Sequence, residues 1–444
     1  VIGLGLGLAV AGVGCASAPP AEAVVEQTPI ARVGADELAS VLGRGALLVD
    51  VSADAVWNGW PAEGAAAGGH VPGSVHVPFE WWPVTGTWAE DGRHFGVFLA
   101  SRGVTAEREI VVGAPDPRLA EIVARLLLVG GYRTVSALSA PLHQAAPQAG
   151  LSLERPARWQ ALVPPRWVHD LVEGRAPLTY PGRGFAVLEV GWGEPTSDGH
   201  VPGAAYLDTN LIERAPLWRL VPDAELMAVL ERFGITRDTT VVLYGQPQMA
   251  AARVAVALLY AGVEDVRLMD GGWPAWRTAE LPVAATLRTP TPADDFGAAV
   301  PGRPQLVVSR DEVRRLLDDP DAVIVCTRSR AEHSGQVSGY DSITARGRIR
   351  GSVWGNAGLD KDSVEQLEDI DGTLREQDEL RALWATFGVG PERRVVFYCG
   401  TGWRASLALF HAYVMGWDRA ALYDPGWFEW GADPANPIES GPPR

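Results

Sequence analysis

The chain has 444 residues, a soft prior for about three domains, and its 38 basic against 54 acidic side chains give a formal charge of −16. That charge, with no basic run anywhere, argues against nucleic acid as a partner, because the phosphates would be repelled. Glycine and proline are plentiful but follow no short period, so the material is globular rather than fibrous.

Residues 1–14, VIGLGLGLAVAGVG, carry no charge and run straight into Cys15, after which Ala-, Pro- and Glu-containing sequence shows no structural period. The apolar run is too short for a good spanning helix. It resembles the end of a bacterial lipoprotein signal peptide, with Cys15 as the lipidated residue; a plain secretory leader is the alternative. Residues 1–28 are therefore expected to be leader and tether. The protein is expected in the cell envelope, periplasmic or on the outer face, touching membrane only through a lipid at Cys15. Cys326 and Cys399 are then the only other cysteines, too few for a disulfide framework or a metal-ligand cluster. Neither a metal nor a cofactor is expected.

Three copies of one unit follow. Each opens with a helix-like segment (34–42, 165–173, 309–317) and a short apolar strand ending at Asp50, Glu189 or Cys326. A turn marked by proline or glycine comes next: HVPG at 70–73, HVPG at 200–203 and RIRG at 348–351. A second apolar strand then precedes a helix that ends in glycine. From Gly113 to Gly131, Tyr244 to Gly262 and Tyr398 to Gly416 the interval is eighteen residues each time. Copies two and three close on a strand and a Trp-bearing turn at Trp273 and Trp427, whereas copy one ends in 137–142 without the tryptophan. Strands alternating with helices predict an α/β fold of parallel sheets with helices on both faces, and ligands at the strands' carboxyl ends. The expected domains are 29–150, 157–288 and 305–444.

The third copy holds the chemistry, in VVFYCGTGWRAS at 395–406. An apolar strand, a tight loop from Cys399 to Arg404 and a helix over 405–415 would set a sulfur in a cradle. Gly400 and Gly402 let successive N–H groups turn inward at a helix N-terminus, which suits an anion, and Arg404 adds a fixed cation. At the same interval the other copies carry Ala114 and Gly245 in place of the cysteine, and Leu119 and Ala250 in place of the arginine. Neither copy has a thiol at this position.

CGTGWR resembles the six-residue active loop of the rhodanese sulfurtransferases, which starts with the nucleophilic cysteine. Phosphatases of related fold use C-x5-R, one residue longer. The resemblance implies a double displacement: Cys399 takes the sulfane sulfur of a small anionic donor such as thiosulfate and passes it to a thiol or cyanide. It also implies donor binding by Gly400, Thr401, Gly402, Trp403 and Arg404. Arg328 and Glu332 lie in CTRSRAE, close to the family stretch D-x-R-S-x-x-E, so Arg328 is expected near the loop or substrate. Cys326 stands where the family has the acid. It is either a small buried hydrophobe or a redox partner that bonds to Cys399 as a latch. Tandem members of the family pair a silent domain with a catalytic one around a shared cleft, as copies two and three would here. A thiosulfate sulfurtransferase is the expected activity. A 3-mercaptopyruvate sulfurtransferase and a persulfide carrier without turnover are the alternatives.

Overall fold

The structure, a computed structural model, describes residues 29–83 and 91–442. Cys15 and the leader lie outside the described residues. The chain forms two compact units, one containing Pro61–Glu154 with the described residues up to Trp57, the other Asn58–Trp60 and the chain from Arg155 onward. No helix among the described residues is long and apolar enough to cross a membrane.

The first unit is built on a five-stranded sheet ordered Ala31–Val33, Thr134–Leu138, Glu109–Gly113, Leu47–Asp50, Val75–His76. All its pairings are parallel. The copy's closing strand is Thr134–Leu138, earlier than the expected 137–142; Leu142–Gln148 is a helix.

The second unit holds two sheets of the same order. One runs Leu162–Val163, Asp265–Met269, Thr240–Gly245, Phe185–Gly191, Ala205–Asp208, and the other Val307–Val308, Ala420–Tyr423, Arg394–Tyr398, Ala322–Cys326, Val353–Trp354. The central strands are apolar apart from the residues that open two of them, Thr240 and Arg394, because both of their faces are covered.

Burial explains two helices that lack a polar face. In Gln248–Ala261 every residue except Tyr260 is buried, and most of Trp403–Val414 is buried too. These helices pack on one another, one from each sheet, so a single apolar cluster runs through both halves of the unit.

Strand alternation decides the fate of Cys326. Ile324, Cys326, Val396 and Tyr398 belong to one apolar cluster, while Val323, Val325, Val395, Phe397 and Cys399 belong to another. Side chains of neighbouring parallel strands alternate between faces in register, and Cys326 pairs with Tyr398 rather than with Cys399. The two sulfurs therefore sit on opposite sides of the sheet, both as free thiols. The expected redox latch is corrected by this geometry.

Candidate active site

Arg394–Tyr398 delivers Cys399 to the carboxyl edge of its sheet, and Gly402, at φ +107°, turns the chain into the helix Trp403–Val414. The Gly402 N–H donates to Cys399 Sγ at 3.1 Å. On the other side the carbonyls of Cys399 and Gly400 accept from the N–H groups of Trp427 and Phe428, at 2.8 and 3.1 Å. The loop is thus tied down at both ends. A side chain at Gly400 would collide with the ring of Tyr340, which lies against the loop.

Arg404 lies at the end of the loop in a buried ion pair. Its guanidinium pairs both nitrogens with Glu332, Nη1 to Oε2 at 2.8 Å and Nη2 to Oε1 at 3.0 Å, and both side chains are 1% exposed. Nη1 also donates to the Asp360 carbonyl at 2.7 Å, and Nη2 to the Tyr340 hydroxyl at 3.3 Å. Glu332 in turn accepts from the Ser329 N–H, closing a capping box on the helix Arg330–Ser334. Burial pushes the Glu332 carboxyl up, but Arg404, Arg328 and that N–H outweigh it and hold the group below its ordinary range.

Arg328 is not at the site. It is fully buried on the Cys326 face, where Nε donates to Cys326 Sγ at 3.3 Å, Nη2 donates to the Gly347 carbonyl at 2.5 Å, and the guanidinium stacks 4.6 Å above Trp427. The expected substrate contact is replaced by a structural one. Burial alone would raise the Cys326 thiol, yet Arg328, His333 and the Tyr398 hydroxyl together bring it down to about 6. Cys326 thus stands as the acceptor for Arg328 where a carboxylate would otherwise stand.

A pocket of about 730 Å³ opens over the loop, between the two sheets of the second unit. The catalytic half contributes Tyr340, Lys361, Asp362, Thr401, Trp403 and Arg404, and the cysteine-less half contributes Trp192, Glu213, Trp218, Gln246 and Met249. Its two cations are both paired, Arg404 with Glu332 and Lys361 with Asp362. Trp192 and Trp218 stand edge to face with centroids 6.4 Å apart. Glu213 Oε1 accepts from the Trp403 indole N–H at 2.6 Å. Burial raises the Tyr340 phenol; Arg404 opposes this and the charges of Cys399 and Glu332 add to it, so the hydroxyl stays protonated at neutral pH. Tyr340 lies in a short Gly-containing stretch, SGY at 338–340, without a motif of its own, and the sequence gives no signal for Trp192, Glu213 or Trp218, which sit in and around the short hairpin of a half that lacks the cysteine.

A rhodanese-like domain is matched at residues 161–279 and again at 309–433, more than half of the chain. The chain belongs to the rhodanese family. Thiosulfate sulfurtransferase YnjE of Escherichia coli (strain K12) is 38% identical over 396 residues, 88% of each chain. Sulfur transfer is accordingly the general activity of this rhodanese. Among solved structures, EanB in complex with ergothioneine superposes with a TM-score of 0.88 at 33% identity, covering 94% of this chain and 100% of that one. The anaerobic ergothioneine biosynthesis enzyme from Chlorobium limicola, in complex with its natural substrate trimethyl histidine, gives 0.87 at 34% identity, covering 94% and 100%. In EanB the persulfide-bearing cysteine follows a substituted tyrosine by fifty-nine positions and precedes a substituted threonine by two. Tyr340, Cys399 and Thr401 repeat both intervals. Of two further cysteines replaced together in EanB, one corresponds by interval to Cys326 and the other to Ala357.

The segment after Trp354 brings Lys361 and Asp362 to the pocket, and its far end is fastened by a buried acid: the Leu374 N–H donates to Asp270 Oδ1 at 2.8 Å. Burial pushes Asp270 up to about 7, and pushes Glu368 beside it up to about 7. Both groups bind a proton more tightly when folded than when unfolded. Their contribution to stability is therefore complete below about pH 4 and lost as pH rises through about 7. Each group should cost about 1 kcal/mol between pH 6 and pH 8. Urea unfolding at the two pH values is expected to show this loss in the native chain and a smaller one in Asp270→Asn; an equal loss in both would refute the assignment.

Proposed function

We propose that Cys399 takes a sulfane sulfur from thiosulfate or a related small anion and passes it to the imidazole ring carbon of a trimethylated histidine. The observation that carries this reading is the make-up of the pocket. Its cations are neutralised by carboxylates, while three indoles and Glu213 face the space, and aromatic faces with a nearby carboxylate suit a quaternary ammonium. The shared intervals of Tyr340, Cys399 and Thr401 with EanB, whose structures contain ergothioneine or trimethyl histidine, support it.

In the first step the Cys399 thiolate attacks the outer sulfur of the donor, the S–S bond to sulfite breaks, and a Cys399 persulfide forms. The Gly402 N–H, already on Sγ, stabilises the anion. The persulfide extends the nucleophile by one S–S bond, about 2 Å, out of a site where Cys399 itself is buried. In the second step the outer sulfur bonds the ring carbon, the S–S bond breaks to return the thiolate, and the hydrogen of that carbon leaves as a proton. Tyr340, a protonated phenol steadied by Arg404, supplies a proton to the ring nitrogen as the sulfur adds, and its phenolate then takes up the proton that leaves the carbon.

The test is mass detection of the thione product from thiosulfate and trimethyl histidine, with Tyr340→Phe expected to lower its formation at least about 100-fold. Persulfide formation with turnover only to cyanide or thiols would overturn the acceptor and favour the thiosulfate sulfurtransferase reading that the Escherichia coli relative supports. Persulfide formation without turnover to any free acceptor would favour a carrier.

A further inference from the structure

Beneath the pocket lies a buried charged group that sequence analysis missed. Arg253 projects from the helix Gln248–Ala261 of the cysteine-less half and is 0% exposed. Its Nε donates to Glu213 Oε2 at 2.8 Å, and its Nη1 sits 2.5 Å from Asp424 Oδ1 in an ion pair. Its Nη2 donates to the Trp218 carbonyl at 3.2 Å. Each partner belongs to the pocket or to the loop beside it. Glu213 holds the Trp403 indole. Trp218 forms a wall while its backbone sits at φ +53°, a left-handed conformation that costs a non-glycine residue energy and needs outside support. Asp424 accepts from the Leu220 N–H at 2.6 Å, fixing the short hairpin of Glu213–Arg214 and Arg219–Leu220. Gly402 backs directly onto the guanidinium, since a Cβ there would lie 2.9 Å from Nη1.

From Leu220 onward the two halves of this unit repeat at an interval of 154 residues, which places Asp424 opposite Asp270 and Leu220 opposite Leu374. The repeat is reciprocal. Each half's final-strand acid accepts a backbone N–H from the other half, Leu374 onto Asp270 and Leu220 onto Asp424. The symmetry breaks at the cation: Asp424 has Arg253, whereas Asp270 has no ion-pair partner among the described residues. The added cation comes from the cysteine-less half and pairs with the acid of the half that carries the cysteine.

We infer that Arg253 is a positioning residue for the sulfur-acceptor step, through which the cysteine-less half sets Trp403, Trp218 and the Gly402 turn of the active loop. The reason is geometric: one rigid fork engages the partners of both indole walls and abuts the turn whose N–H meets Sγ. Arg253, Glu213 and Asp424 carry a formal charge of −1 beside the indoles, which favours a cationic acceptor. The choice of acceptor rests on the reading proposed above; the positioning role does not.

The test compares native protein, Arg253→Met and Arg253→Met/Glu213→Gln. In the double variant the glutamine oxygen still accepts from the Trp403 indole and no carboxylate is left unpaired at position 213. Two quantities are read: the single-turnover rate of transfer from persulfidated protein to trimethyl histidine, and the KM for thiosulfate during persulfide loading. Arg253→Met is expected to slow transfer at least tenfold while shifting the KM less than threefold, and the double variant to recover at least a third of the lost rate. Parallel changes in the two quantities, or no recovery in the double variant, would overturn the inference. The alkylation rate of Cys399 by iodoacetamide, read by mass, needs no acceptor. It should change at least threefold in Arg253→Met and return in the double variant. Should native protein fail to use trimethyl histidine, the proposed acceptor falls and the alkylation series alone decides the positioning role, an unchanged rate refuting it.

Discussion

Cys399→Ser is expected to gain no sulfur from thiosulfate in an intact-mass measurement, and to lose turnover by at least about a thousandfold. The native protein should gain one sulfur atom. Serine keeps the size of the side chain and an acceptor for the Gly402 N–H, so folding should move by less than about 1 kcal/mol. What it lacks is a polarisable thiolate that can exchange with an S–S bond. The silent halves give no rescue, because Ala114 and Gly245 stand at the equivalent strand ends. Cys326 gives none either. Its thiol is brought to about 6, but the sheet stands between it and the loop and Arg328 covers it. A single sulfur remaining on the Cys399→Ser protein would move the persulfide to Cys326 and overturn the assignment.

Glu332→Gln should be the most damaging single change to stability, by roughly 3–5 kcal/mol, because it leaves the Arg404 guanidinium buried opposite a neutral amide. Removing only one partner of a buried pair leaves an uncompensated charge, whereas removing both is far milder. Arg404→Met/Glu332→Gln should therefore recover at least about half of the loss in urea unfolding. The sign with pH follows from the carboxyl being held below its ordinary range. The stabilisation is present above the unfolded value, about pH 4.5, and is lost as pH falls through the lower folded value. The acid side of the native stability profile should accordingly flatten in Glu332→Gln. Additive losses from the single changes Arg404→Met and Glu332→Gln would show that the two groups act independently and would contradict the pairing.

Much of the site was legible in the residues. CGTGWR placed the candidate nucleophile at a strand end, the turn at Gly402 and the helix that follows, because a loop of that length between an apolar strand and an apolar helix has few ways to fold. Glu332 was visible in its stretch, but its partner was not: the carboxylate that meets Arg404 comes from a capping box seventy-two residues away. Arg328 misled for the opposite reason. Its motif position is right, yet strand alternation sends its guanidinium to Cys326 and Trp427 on the far face of the sheet. The tryptophans at 427 and 430 proved to be packing anchors, both fully buried, while the tryptophans that wall the pocket lie in the other half.

The sequence by itself determined the α/β repeat, which copy carries a cysteine after its central strand and which copies lack one, since these depend on local periodicity and on which side chain ends a strand. Tertiary structure decided what surrounds that thiol. The register of Ala322–Cys326 against Arg394–Tyr398 put the two cysteines on opposite faces. The packing of Gln248–Ala261 against Trp403–Val414 brought Arg253, Glu213 and Trp218 to the loop from more than 140 residues away along the chain. A buried charge takes its partners from whatever the fold sets within a few ångströms, and sequence separation does not encode that distance.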